Sequence, residues 1–216
     1  MNNVFESIQD DIDWRLLELK EYENIIENLN TNETDRREKQ VKIILRCSIP
    51  IIYAHWEGFV NYSLELVFKY LNEKKFNNQD FCCTYLTTAY EETLKSLDKS
   101  LNFEKRKKHL TNLYEKFDKC VVLPIKINTS SNLNFEVLQS ICEKTNLDIK
   151  KFDGIKTKLN KLIHLRNSIA HGENAFNFDA FYEIQGYIDL LENLMSIFQN
   201  EIQDLLKNEK YKKEVE

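Results

Sequence analysis

The sequence predicts an all-α protein built of long helices. Three observations lead there. Glycine and proline are scarce, four and two in 216 residues, which disfavours a turn-rich β architecture. Apolar residues recur at three- and four-residue steps near both ends of the chain, the spacing of one helix face. A charged fraction of 30% beside 42% apolar residues suits helices that bury one side and solvate the other. No repeat, low-complexity tract or linker divides the chain, so residues 1–216 read as one domain whose end, 206–216, is a charged, frayed tail.

The first helix carries Phe5, Ile8, Ile12, Leu16, Leu19, Tyr22, Ile26 and Leu29 on one stripe, and Asn30 to Thr34 stops it. From about Asp35 to Asn72 the pattern is again helical. Pro50 lacks an N–H and crowds the preceding turn, which predicts either a kink there or two helices end to end. Trp56 and Phe59 read as core, and Gly58, unfavourable in a helix interior by about 1 kcal/mol, as a place of close helix contact. Residues 79–100 and 102–120 read as two further helices. Val121 to Ile127, β-branched around Pro124, prefers an extended course. Asn128 to Asn132 is a loop, and Asn134 is suited to cap a helix through about Thr145. Another helix begins near Asp153 or Gly154, with Ile155, Leu159, Leu162, Ile163, Leu165 and Ile169 on its apolar face. Gly172 fits the position just past that helix's end. Phe178, Phe181, Ile184, Ile188, Leu191, Met195, Phe198, Ile202 and Leu205 form the closing stripe.

Net charge is −5, which argues against a molecule that clings to nucleic acid over its whole surface. The charges are unevenly placed. Residues 1–35 hold ten acidic and two basic side chains, exposing an acidic face to solvent or to a basic partner surface. Lys105 to His109 form one basic run. Lys150, Lys151, Lys156, Lys158, Lys161 and Arg166 form a second, against Asp153 alone. Cys47, Cys82, Cys83, Cys120 and Cys142 include no C-x2-C pair, so they read as reduced thiols rather than zinc ligands or disulfides. The amino terminus lacks the pattern of a signal peptide, and Ile43 to Ala54 is too short, and too broken by Arg46 and Pro50, to span a bilayer. A cytoplasmic chain without membrane contact is the expectation.

Chemistry concentrates in Leu165-Arg166-Asn167-Ser168-Ile169-Ala170-His171-Gly172-Glu173. Arg166 offers a fork of charge-assisted hydrogen bonds suited to a phosphate. His171 suits proton transfer, because an unperturbed imidazole titrates near pH 6.5. Asn167, four residues before His171 and on the same helix face, can orient the ring or bind a phosphate oxygen. RNA brings its own nucleophile: a deprotonated 2′-hydroxyl attacks the adjacent phosphorus, giving a 2′,3′-cyclic phosphate and a 5′-hydroxyl end. Lys158 and Lys161 are candidate RNA contacts. Glu57, His55 and His164 are further candidates in supporting roles, with Glu57 placed to hold Arg166; His164 also reads as a satisfied structural histidine. Arg166 and His171 are five residues apart, about 140° around an ideal helix, so one chain presents them poorly to a single phosphate unless the last turn unwinds.

Read whole, Arg166 to Glu173 resembles the R-x4-6-H signature of the HEPN superfamily, in which a polar residue follows the arginine. Tyr53-Ala54-His55-Trp56-Glu57-Gly58-Phe59 and Ser131-Asn132-Leu133-Asn134-Phe135 look like matching blocks of a stand-alone bacterial branch, in the expected order. The resemblance implies an up-and-down helical bundle with long helices and helical insertions, a homodimer whose two motifs face each other in a composite cleft, and RNA cleavage without metal or cofactor. Glu173 departs from the tyrosine found two positions after the histidine in some HEPN toxins, so control through modification at that tyrosine is not implied.

Other chemistries lack their patterns: there is no glycine-rich phosphate loop before a lysine, no H-E-x-x-H and no nucleophile elbow. Two readings stay open. One is a metal-independent endoribonuclease acting on tRNA or other structured RNA, within a toxin–antitoxin or antiphage system and with a cognate antitoxin or defence protein as partner. The other is a non-catalytic HEPN module that dimerises and binds RNA, nucleotide or protein.

Overall fold

A computed structural model describes residues 1–30, 35–99, 102–126, 132–173 and 181–213, with backbone alone at 29, 30, 35–38 and 181. Among these residues the chain is helical throughout its regular structure: α1 (Asn2–Asn30), α2 (Asp35–Glu73), α3 (Cys83–Lys99), α4 (Phe103–Phe117), α5 (Phe135–Thr145), a 3₁₀ segment (Ile149–Ile155), α6 (Lys156–Ala170) and α7 (Phe181–Lys207). The expected stop at Asn30 to Thr34 lies mostly outside the described residues, as do Phe178 and positions 128–131 of the expected loop. None of the described helices is long and apolar enough to cross a membrane.

Four helices make the bundle. Arg15 donates to the carbonyl of His55 and Tyr22 to that of Ile44, so α1 and α2 run antiparallel. Arg46 reaches Glu173 while Arg166 lies over Tyr53, which sets α6 antiparallel to α2 as well. Gln199 bonds Gln9 and Lys207 covers Phe5, placing α7 antiparallel to α1. The predicted stripes meet in the middle. Ile8, Leu19 and Ile26 of α1, Trp56 and Phe59 of α2, Leu159 and Leu162 of α6, and Ile184, Leu194, Phe198 and Ile202 of α7 are all fully buried. Phe198 sits at the centre, its ring meeting Trp56, Phe59 and Phe152 edge-on or tilted at about 6 Å. Burying one such ring is worth roughly 1.5–3 kcal/mol.

Pro50 lies inside α2, which continues as one helix rather than two. The ring removes a donor to the Arg46 carbonyl, yet Ile49 and Ile52 on either side are fully buried, so packing holds what the local propensity opposes. Gly58 marks close contact as expected. A Cβ there would come within 3.0 Å of the Arg15 guanidinium, which is buried in a bidentate pair with Asp11.

The α3–α4 hairpin and α5 are added at one end of the bundle. Tyr85 and Thr88 of α3 donate to the last carbonyls of α5, at Thr145 and Lys144, and Phe117 of α4 stacks on Tyr90. Val121 and Leu123 are buried while Val122 is exposed, the alternation of an extended course, and Asn72 exchanges two hydrogen bonds with the Leu123 backbone.

Two expectations need correction. The motif helix does not begin at Asp153 or Gly154. Ile149–Ile155 winds as a 3₁₀ helix started by the Asp148 carboxylate, and Phe152 and Ile155, three apart, are buried together, the spacing that 3₁₀ geometry eclipses. The tail is not frayed over the residues described. Cys82 N–H bonds the Tyr211 carbonyl, Lys213 N–H bonds that of Asp80, and Phe81 bridges to Lys212. Tyr211 is buried among Phe76, Phe81 and Tyr85.

Candidate active site

The end of α6 is built by its own sequence. His171 N–H bonds the Asn167 carbonyl at 2.9 Å, Gly172 N–H that of Ile169 at 3.1 Å, and Glu173 N–H that of Ser168 at 2.9 Å. This is a Schellman closure, with Gly172 at φ 79° taking the left-handed position that a glycine occupies without strain. The last turn therefore stays wound. His171 is the C-cap residue and is exposed, and the 140° between it and Arg166 is preserved.

Arg166 is half-buried and held from two sides. Its guanidinium carbon lies 4.4 Å over the Tyr53 ring, and Nη1 donates to Asn167 Oδ1 at 2.8 Å. Asn167 Nδ2 in turn donates to Asn132 Oδ1 at 3.3 Å. The cation is thus held over an aromatic face, an attraction of about 0.5–2 kcal/mol depending on desolvation.

Tyr53 is itself fixed. Its hydroxyl accepts from Leu133 N–H at 2.9 Å in a buried position and bonds the Glu57 carboxylate. Burial, chiefly, pushes the phenol up to about 12, opposed first by the Leu133 N–H and less by Arg166, with Glu57 adding to the rise. Tyr53 is therefore a neutral donor and platform, with no part as a base near neutral pH.

The three sequence blocks converge here. Tyr53 and Glu57 come from α2, Asn132 and Leu133 from the segment before α5, and Arg166 and Asn167 from α6. That segment is tied down again by Phe135 N–H donating to Asn160 Oδ1 of α6. Glu57 joins the cluster through the Tyr53 hydroxyl.

His55 does not join it. Two residues from Tyr53, it points about 200° away on the helix and faces α1. Trp14 lies 5.5 Å from its ring and the Glu18 carboxylate 3.8 Å from Nε2. Burial, chiefly, lowers its titration below the usual imidazole range, partly opposed by Glu18, and its Nδ1 has no hydrogen-bond partner among the described residues. His164 is exposed on nearly the same side of α6 as His171, seven residues earlier. Lys158 and Lys161 are exposed one and a half to two turns before Arg166.

One contributor escaped the sequence reading. Arg46 Nη2 donates at 2.7 Å to the Glu173 carbonyl, fastening the end of the motif to α2. Its signal was present as the one cation interrupting the apolar run from Ile43 to Ala54, seven residues before Tyr53 and so on the same helix face. Among the described residues no group of three His, Cys, Asp or Glu gathers in a way that would hold a metal ion.

A family model described as RiboL-PSP-HEPN matches residues 10–204, a span that takes in all three converging blocks. No curated protein and no solved structure matches the chain.

Proposed function

We propose, from the premise that the chain belongs to the RiboL-PSP-HEPN family, that it is an endoribonuclease cleaving tRNA or other structured RNA as a toxin or antiphage effector. Membership points to an RNase-like or RNA-related role. The finer reading rests on one observation: a guanidinium held over Tyr53 and locked to Asn167 shares a rigid helix end with an exposed imidazole.

In this reading His171 takes the 2′-hydroxyl proton, and the oxygen attacks phosphorus as the bond to the 5′-oxygen breaks. Arg166 meets the charge gathering on the phosphate oxygens. The departing 5′-oxygen takes a proton from water and the His171 imidazolium returns its own to solvent, leaving a 2′,3′-cyclic phosphate and a 5′-hydroxyl. Because the last turn of α6 is wound, one chain's cation and imidazole face different ways. A two-fold pair of chains supplies both groups to one phosphate, each motif opposite its twin.

His171→Ala tests this directly. The residue is exposed at a helix end, so the helical CD signal and Tm stay near those of the parent while cleavage falls at least 100-fold. Cleavage persists in excess EDTA, and mapped ends carry cyclic phosphate. Specific activity declines on dilution together with the mass measured by sedimentation. Undiminished cleavage by His171→Ala removes that residue from the chemistry. RNA binding without cleavage by the parent chain would favour the non-catalytic module, for which Arg166 already has the structural role of bridging α2 and α6.

A further inference from the structure

Helix α2 grips the end of α6 at two points. Tyr53 lies beneath Arg166, whose guanidinium carbon is 4.4 Å from the ring centre, and Arg46 Nη2 donates to the Glu173 carbonyl at 2.7 Å. Arg46 and Tyr53 are seven residues apart, nearly two full turns, so they share one face of α2. Arg166 and Glu173 are also seven apart. Because α2 and α6 run antiparallel, the two contacts pair off in order, about 10 Å from one another. Between them stand Asn167, held by Arg166 and Asn132, and His171. No partner among the described residues holds the His171 ring, which is exposed. Its place is therefore set by the backbone of the closing turn.

That turn is closed from within by hydrogen bonds of which the last runs from Glu173 N–H to the Ser168 carbonyl at 2.9 Å. Helix ends of this kind fray where nothing outside the helix holds them. Arg46 holds this one, giving a charge-assisted hydrogen bond to the carbonyl of the same residue whose N–H closes the turn. We propose that Arg46 is a positioning residue for His171, an inference that rests on the ribonuclease reading. By pinning Glu173 to α2 it keeps the imidazole in register with the Arg166 that Tyr53 pins two turns away. In a two-fold pair each chain's Arg46 serves its own His171. Proton transfer is sensitive to placement, and a shift of about 1 Å costs up to roughly 100-fold in rate. The pin therefore acts on the rate of cleavage at saturating RNA rather than on affinity.

Arg46→Ala and Arg46→Lys test it in the full chain, with CD melts to check each fold. In Arg46→Ala, NMR-detected exchange of the Gly172 and Glu173 amides is about fivefold or more faster than in the parent, while that of Leu162 and Ile163 is unchanged. Single-turnover cleavage at saturating RNA falls about tenfold. RNA affinity, from anisotropy titration, stays within about twofold of the parent. Arg46→Lys keeps a charged donor without the fork and regains part of both losses. A merely structural Arg46 would lower Tm and leave the saturating rate alone, and that outcome overturns the proposal. Unchanged amide exchange overturns it as well. So does a loss of affinity with a salt slope shallower by about one phosphate contact, which would make Arg46 an RNA ligand. A parent chain that does not cleave overturns the ribonuclease reading instead, and the pin is then decided by the amide exchange alone.

Discussion

Tyr53 carries two separable duties, and substitution can divide them. Tyr53→Phe leaves the buried Leu133 N–H without its acceptor, a cost of about 1–3 kcal/mol, but keeps the ring beneath Arg166. Tyr53→Leu loses both. Urea melts are expected to show both variants destabilised, while anisotropy titrations with RNA show Phe within about twofold of the parent and Leu weaker by roughly 3–30-fold. Equal RNA affinity for all three proteins would deny the ring any part in presenting Arg166. Arg166, Asn167 and His171 could be read as a constellation because they are close in sequence. Tyr53's role could not: a cation–ring contact across more than a hundred residues leaves no spacing to read.

His55 gives the fold a pH dependence of known sign. Its folded titration is lowered by burial, so below the ordinary imidazole value the unfolded chain binds a proton that the folded chain resists. The stability it contributes is complete above about pH 6.5 and declines as pH falls below that value. Tm is expected to drop between pH 7.5 and 5.5, and to drop less in His55→Gln. An unchanged pH response in that variant would place the dependence elsewhere. In the sequence His55 and Tyr53 belong to one short block. Only the helix turn between them shows that one faces α1 and the other the motif.

Among the elements, the end of α6 is the most sharply specified. A Cβ on Gly172 would meet nothing within 4 Å, so Gly172→Ala probes backbone conformation alone. At φ 79° an alanine costs about 1–2 kcal/mol, seen as a lower urea midpoint with the urea dependence unchanged. Cleavage is expected to fall further than stability, because relaxation of the turn also moves His171. A neutral substitution would contradict the left-handed closure. This helix end was legible because only glycine takes that conformation cheaply. The start of α6 was not, since a 3₁₀ segment shares its apolar residues with an α-helical pattern over so few positions. α2 illustrates the converse, a proline carried within a helix whose neighbours are buried.

Over the whole molecule, the stripes of α1, α6 and α7 disclosed the helices because each is apolar on one side. The closing segment was hidden by its own composition. Tyr211 stands among lysines and glutamates, and no local pattern reveals that its ring completes a cluster with Phe76, Phe81 and Tyr85. Tyr211→Ala is expected to lower stability by roughly 3–5 kcal/mol, as for other buried aromatic rings. Removal of residues 208–216 is expected to do at least as much harm. Chemical denaturation of both proteins checks this, and a loss under about 1 kcal/mol would mean the segment merely rests on the surface.

That same closure bears on the order in which a newly made chain finishes folding. The partners of Cys82 near Lys210 lie 128 positions further along the chain, so the hairpin of α3 and α4 emerges from the ribosome long before its seal exists. Synthesis proceeds at about 5–20 residues per second, which leaves Phe81 and Tyr85 without Tyr211 for several seconds in every molecule made. A chain interrupted before Tyr211 would keep the whole motif yet lack the seal.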